Sequence, residues 1–165
     1  MTPPTVTITS PISKSGSDIV VAGTTVTVPA TLTGSTSFTV SPTITDTYGV
    51  ASSTCSAITG FAWAEGGTTT SRTCTYTGTG ASIVGGTYTV NAIDNYGNAG
   101  SGSFTVTVDS TNPTAAGTLA ESSGRLHAAA ATLYGAGTIS IADATSNFTF
   151  TITAADGGAG LASVS

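Results

Sequence analysis

Positive charge is what this chain lacks most. Its 165 residues include three basic side chains, Lys14, Arg72 and Arg125, against eight acidic ones, for a net charge of −5. So acidic a chain has no electrostatic footprint for nucleic acid or for an anionic membrane surface. Helix formers such as Glu, Lys, Gln and Leu are scarce, which argues against a helical protein. There are two cysteines and one histidine, with no Cys-x-x-Cys and no clustered His, so the ligands of a zinc site are missing. No stretch approaches the ~20 apolar residues of a membrane-spanning helix. MTPPTVTITS at the start has no basic segment and no apolar run; it is not a signal peptide, and any export signal is expected to lie outside this chain.

Catalytic patterns are missing as well. His127 sits in an alanine run with no nucleophile motif, and the acids are too scattered to propose a carboxylate pair. Gly78-Thr-Gly80 lacks the strand-to-helix context of a phosphate cradle and reads as a turn. The expectation is a protein that is not an enzyme.

What is present points to strands. Ser and Thr make up roughly a third of the residues, and Gly adds 21. Thr and Val favour pleated surfaces; Gly and Ser favour turns. Hydrophobic residues reach 39%, mean hydropathy is +0.29, and the apolar residues alternate, which argues for a folded chain rather than a disordered one. Alternating runs fall at Val6–Ile8, Ile19–Val21, Val26–Val28, Phe38–Ile44, Val50–Cys55, Arg72–Tyr76, Tyr88–Ile93 and Phe104–Val108. Polar turns are expected over Lys14–Asp18 and Asp94–Gly102, and a loop containing Phe61 and Trp63 that closes at Glu65-Gly66-Gly67. Seven or eight short strands with frequent turns predict an all-β antiparallel sandwich.

The first domain spans residues 1–109, a Pro-containing linker residues 110–113, and a partial second copy residues 114–165. SFTVSPTITDTYGVAS matches NFTFTITAADGGAGLAS, with Phe38 against Phe148 and Asp46 against Asp156, each about 110 residues apart. Asn112-Pro113-Thr114 likewise matches Pro3-Pro4-Thr5. The second copy stops at Ser165, about halfway through the pattern, and half a sandwich buries too little apolar surface to be stable alone. Its Phe148–Ile152 strand is expected to offer an open edge, completed by a longer parent chain or by another molecule.

Cys55 and Cys74 are expected to form a disulfide enclosing about 20 residues, stabilising by roughly 3 kcal/mol. Two buried thiols are the alternative.

Gly85–Asp109 resembles the closing strands of bacterial immunoglobulin-like and hyalin-repeat-like domains. Gly86, Tyr88, Val90, Ala92, Asp94, Gly97 and Asn98 match their G-x-Y-x-V-x-A-x-D-x-x-G-N pattern ahead of an F-T-V-x-V strand. Asp46–Cys55 looks like their D-x-x-G-V-x-S segment. The resemblance covers residues 3–109 and implies an immunoglobulin-like sandwich in tandem, strung along an extracellular or cell-surface protein as spacer or adhesive module. Neighbouring repeats, in the same or another chain, are the implied partners.

Few residues offer chemistry. Tyr88 reads as a tyrosine corner or as a half-buried aromatic; Gly97 and Pro113 read as structural. Asp94, Asn95 and Asn98, joined by Asp109 and Asn112, offer oxygens for calcium, but an Asp that accepts backbone hydrogen bonds in a turn needs no metal, and that reading is favoured. Trp63, Phe61, Tyr48 and Tyr76 can form an aromatic platform for a glycan, although a core position is favoured for Trp63. Lys14 has no acid placed beside it for a cross-link, and Asn147-Phe-Thr149 matches a glycosylation acceptor. The expected function is a non-catalytic stalk or adhesion module with a glycan or host-surface ligand. The alternatives are a filament subunit polymerising by strand complementation, or a glycan-binding accessory domain.

Overall fold

Thr and Val alternate through most of the chain, and β-branched side chains pack best on a pleated surface. A computed structural model of the chain, describing residues 2–10, 12–111, 114–121 and 148–156, is accordingly all-β, with no helix among the described residues. Strands run in order as β1 (Thr5–Ile8), β2 (Ser13–Ser15), β3 (Val20–Ala22), β4 (Thr25–Pro29), β5 (Ser37–Val40), β6 (Pro42–Thr45) and β7 (Val50–Cys55). They continue as β8 (Phe61–Gly67), β9 (Arg72–Gly78), β10 (Gly86–Asp94), β11 (Ala99–Asp109), β12 (Thr114–Glu121) and β13 (Phe148–Ala155).

Of the four sheets among the described residues, the two larger have the orders β3-β4-β11-β10-β7 and β2-β5-β9-β8, and β1-β6 and β12-β13 are two-stranded. Pairing is antiparallel except between β4 and β11, which run parallel from Thr25 beside Thr105 to Pro29 beside Asp109. β5 and β6 would be one strand but for Ser41-Pro42: the proline supplies no ladder N–H, and β6 pairs instead with β1. The two sheets share one core in a sandwich-like arrangement, with Val26, Val28, Val90, Phe104 and Val106 from one and Phe38, Val40, Cys74 and Tyr76 from the other. Phe38 is its hub, stacked on Tyr76 at 5.0 Å and edge-on to Phe61 at 5.3 Å and Phe104 at 6.3 Å. Such aromatic pairs add about 0.5–1.5 kcal/mol each beyond the area they bury.

Three local expectations change. The loop expected around Phe61 and Trp63 is strand β8, paired in register with β9 from Phe61 beside Gly78 to Gly67 beside Arg72. Its sequence hides this because an edge strand presents little of itself to the core, so Ala62, Trp63 and Ala64 carry no alternation. The polar turn expected from Lys14 begins inside β2, which pairs with β5 despite being exposed throughout. The Asp94–Gly102 turn is tighter than expected, since β11 starts at Ala99.

β1 lies directly across β11 at two glycines. A Cβ on Gly100 would sit 1.9 Å from the Pro4 carbonyl oxygen, and one on Gly102 2.6 Å from that of Val6. Both glycines share the inward side of β11 with Phe104 and Val106, so the Gly-x-Gly-x-Phe spacing makes room for a second layer of backbone.

β12 and β13 pair antiparallel with Thr114 opposite Ala155 and Gly117 opposite Ile152. Between β1 and β6, Thr5 lies opposite Thr45 and Ile8 opposite Pro42. Under the sequence match of the two segments these are the same pairings. The roles expected for Asn112, Pro113, His127 and Asn147, and the match that ends at Ser163, fall outside the described residues.

Overpacking at the β1 crossing is the fold's most direct test. Gly102→Val is expected to lower unfolding stability by about 1–3 kcal/mol, while Ser103→Val, on the exposed side of the same strand, stays within about 0.5 kcal/mol of the parent in urea titration.

Candidate functional site

Two constellations gather the polar chemistry of the described residues. The first is a seam between the sheets. Strand alternation puts Arg72, Cys74 and Tyr76 on the inward side of β9, facing edge strand β7. Arg72 donates from Nε to Ser53 Oγ at 3.0 Å and from Nη2 to the Ser53 carbonyl at 2.6 Å. Cys74 is disulfide-bonded to Cys55, with Cα atoms 6.0 Å apart. Tyr76 donates its hydroxyl to the Ser56 carbonyl at 2.8 Å. From β8, Glu65 Oε1 accepts the Cys55 N–H at 2.6 Å, and its other oxygen lies 4.0 Å from Arg72 Nη1.

Ser53 and Cys55 turn these backbone groups away from β10, so Glu65 and Arg72 occupy part of a ladder that an incoming strand would otherwise use. Burial first, then the Glu65 charge and Tyr88, pushes the Tyr76 phenol well above its ordinary 10.0, so it remains a hydroxyl donor. With its thiols oxidised and its guanidinium engaged by Ser53 and Glu65, the seam ties the two sheets together.

The second constellation is a pair of like turns at one end of the sandwich. Asp46-Thr47-Tyr48-Gly49 joins β6 to β7, and Asp94-Asn95-Tyr96-Gly97 joins β10 to β11. In each, the Asp Oδ1 accepts the N–H of the Tyr two residues on, at 2.7 Å for Tyr48 and 2.8 Å for Tyr96. Gly49 and Gly97 both have φ +86°, a left-handed conformation that glycine adopts without strain. Asn95 locks the turns together, donating its N–H to the Gly49 carbonyl at 3.2 Å and its side-chain amide to the Tyr48 carbonyl at 2.7 Å. The rings of Tyr48 and Tyr96 meet edge to face at 5.4 Å and remain 47% and 60% exposed.

Asp94 anchors the second turn. Its Oδ2 accepts the Asn98 side-chain amide at 2.7 Å, and its Oδ1 also accepts the Asn98 N–H at 2.8 Å. The Asn98 amide, followed by the N–H groups of Asn98, Tyr96 and Gly97, holds the carboxyl below its ordinary 3.8 against the opposing effect of desolvation.

The calcium candidates do not converge. Asp94 already accepts three hydrogen bonds from its own turn, whereas Asp109 ends β11 at the far end of the strand and accepts from the Thr111 N–H and hydroxyl. No group of three metal-ligating His, Cys, Asp or Glu side chains occurs among the described residues. The four aromatics of the expected platform are likewise dispersed: Phe61 and Tyr76 are core residues, and Tyr48 belongs to the turn pair. Trp63, favoured for the core, is instead 49% exposed, because β8 is an edge strand with no neighbour beyond it to cover the ring. Tyr88 donates its hydroxyl to the Val84 carbonyl four residues upstream at 2.7 Å.

Tyr96 is the residue that sequence reasoning passed over. The signal was present in the repeated Asp-x-Tyr-Gly, which places two tyrosines at the same position of two like turns. Comparison with protein-family models, with curated proteins and with solved structures finds no match.

A carboxyl held below its ordinary value in the fold stabilises above the unfolded-state pKa, and that stability is lost as the pH falls through the folded value. Asp94 is therefore expected to sustain the fold above about pH 4 and to release it in more acid solution. In Asp94→Asn, an amide faces the Asn98 amide. That variant is expected to melt lower at pH 7 and to lose part of the parent's dependence of Tm on pH below about 4, read by differential scanning calorimetry.

Proposed function

We propose that this chain is a non-catalytic, immunoglobulin-like tandem module of a bacterial extracellular or surface protein, serving as stalk and adhesive spacer. The observation that carries the reading is the recurrence of register: Thr114 beside Ala155 repeats Thr5 beside Thr45 in the matched segment. One strand-pairing pattern written twice is how a tandem array is built.

Strand order supports the immunoglobulin-like assignment. β2-β5-β9-β8 follows the A-B-E-D order of such a sandwich, and β11-β10-β7 the G-F-C order, with β4 alongside β11. The Tyr88 hydroxyl on the Val84 carbonyl, at the start of the F-like strand, has the form of a tyrosine corner. The disulfide joins the C-like and E-like strands, and such bonds persist in oxidising surroundings, which favours an exported protein. A disulfide-stapled seam and a chain with a single lysine suit a spacer that must bear load and bind little non-specifically.

Sizing chromatography with light scattering, run at rising protein concentration, tests the stalk against the filament. A mass constant at 16.0 kDa is the expected result. Species that grow with concentration and shield residues 114–165 from protease would replace the stalk with strand complementation between chains.

A further inference from the structure

The turn pair has a feature the fold does not require. An Asp-x-x-Gly turn needs its first and last residues; the third position is free. In the second segment the matching stretch is Asp156-Gly157-Gly158-Ala159-Gly160, with no aromatic residue anywhere in it. Yet in the first domain both turns carry tyrosine at that position, and both rings stand largely in water. Aromatic side chains exposed in a pair are characteristic of recognition surfaces, since they offer a large rigid contact area for little lost freedom.

A second observation points to the same place. Beside the first turn an open cleft of about 500 Å³ is lined by Thr2, Pro3, Thr5, Thr45, Asp46 and Thr47. Asp46 belongs to both features: its Oδ1 accepts the Tyr48 N–H, and no hydrogen bond to Oδ2 occurs among the described residues. A threonine-lined cleft thus opens at the same turn, Asp46-Thr47-Tyr48-Gly49, that carries one ring of the exposed aromatic pair.

We propose that this end of the first domain is a binding site for a neutral glycan, with Tyr48 and Tyr96 as the stacking surface and Asp46 as the hydrogen-bond acceptor. A sugar ring has an apolar C–H face and a rim of hydroxyls. The tyrosines take the face, Asp46 Oδ2 accepts from neighbouring hydroxyls, and the Thr hydroxyls complete the rim.

Charge selects the class. Of the described cations, Arg72 is committed to Ser53 and Glu65, and Lys14 to the Ile19 carbonyl, so none serves an anionic ligand here. Asp46 repels sialylated or phosphorylated sugars, and two rings at right angles form no cage for a quaternary ammonium. The donors of Asn95 hold both turns fixed, so the rings are preorganised and little ordering is needed on binding.

A glycan ligand deepens the adhesive half of the proposed function and rests on it; the spacer half has its own test in the sizing experiment, and failure here leaves that result standing. The test is native affinity electrophoresis of the full chain in gels containing mannan, galactomannan, xyloglucan or β-glucan, each compared with a sugar-free gel. Retardation is expected in at least one. It should weaken at least ten-fold in Tyr96→Ala and in Asp46→Asn, which keeps the turn's Oδ1 acceptor, and should survive Trp63→Ala. Unchanged mobility in the sugar-free gel and an unchanged Tm for Tyr96→Ala show that the fold is retained. The site is overturned by no retardation in any of the four gels, by retardation that persists in Tyr96→Ala, or by retardation lost in Trp63→Ala alone.

Discussion

The fold depends on keeping two sheets face to face along a side where both end in edge strands. β7 closes one sheet and β8 the other, and neither has a further strand to cover it. Apolar burial is non-directional and would tolerate some sliding of one sheet over the other. The seam from β9 to β7 removes that freedom. Three alternate residues of one strand, Arg72, Cys74 and Tyr76, each take a partner on or just past the other: Ser53, Cys55 and Ser56. A covalent bond fixes the spacing, and the flanking hydrogen bonds fix the register.

Scarcity of charge gives the seam its character. Glu65 and Arg72 are among the few charged residues of the chain, and both are placed where they cap the β7 backbone as well as face each other. Placing charge on an edge strand is a common defence against unwanted strand pairing. What remains is a weakly acidic surface rich in hydroxyls, with Tyr48 and Tyr96 exposed at one end. The seam locks β7 to β9, while the turn pair at the end of β10 and β6 displays tyrosines on a scaffold already rigid.

The all-β class, most strands and the disulfide partners were legible in the sequence, because period-two alternation reports burial directly. Val90, Ala92 and Asp94 face inward and Phe104 and Val106 follow the same rule. Where burial is weak the signal vanishes. Ala62-Trp63-Ala64 lies on an edge and Ser13-Lys14-Ser15 is exposed on both sides, so each strand exists only through its partner. The turns were legible as turns but not as a pair, since nothing local says that Asn95 reaches Tyr48 across 47 positions. Trp63 was misplaced for a related reason: an aromatic residue in a small sandwich is ordinarily core, and only the strand order reveals that its ring overhangs an edge.

The seam, rather than core burial alone, holds the sheets in place. Equilibrium urea unfolding of the oxidised chain, set against the same chain held reduced, measures it most directly. Loop closure over a separation of 19 residues predicts that the oxidised form is more stable by about 3 kcal/mol. A difference below about 1 kcal/mol would contradict the account and leave the sheets held by their aromatic core.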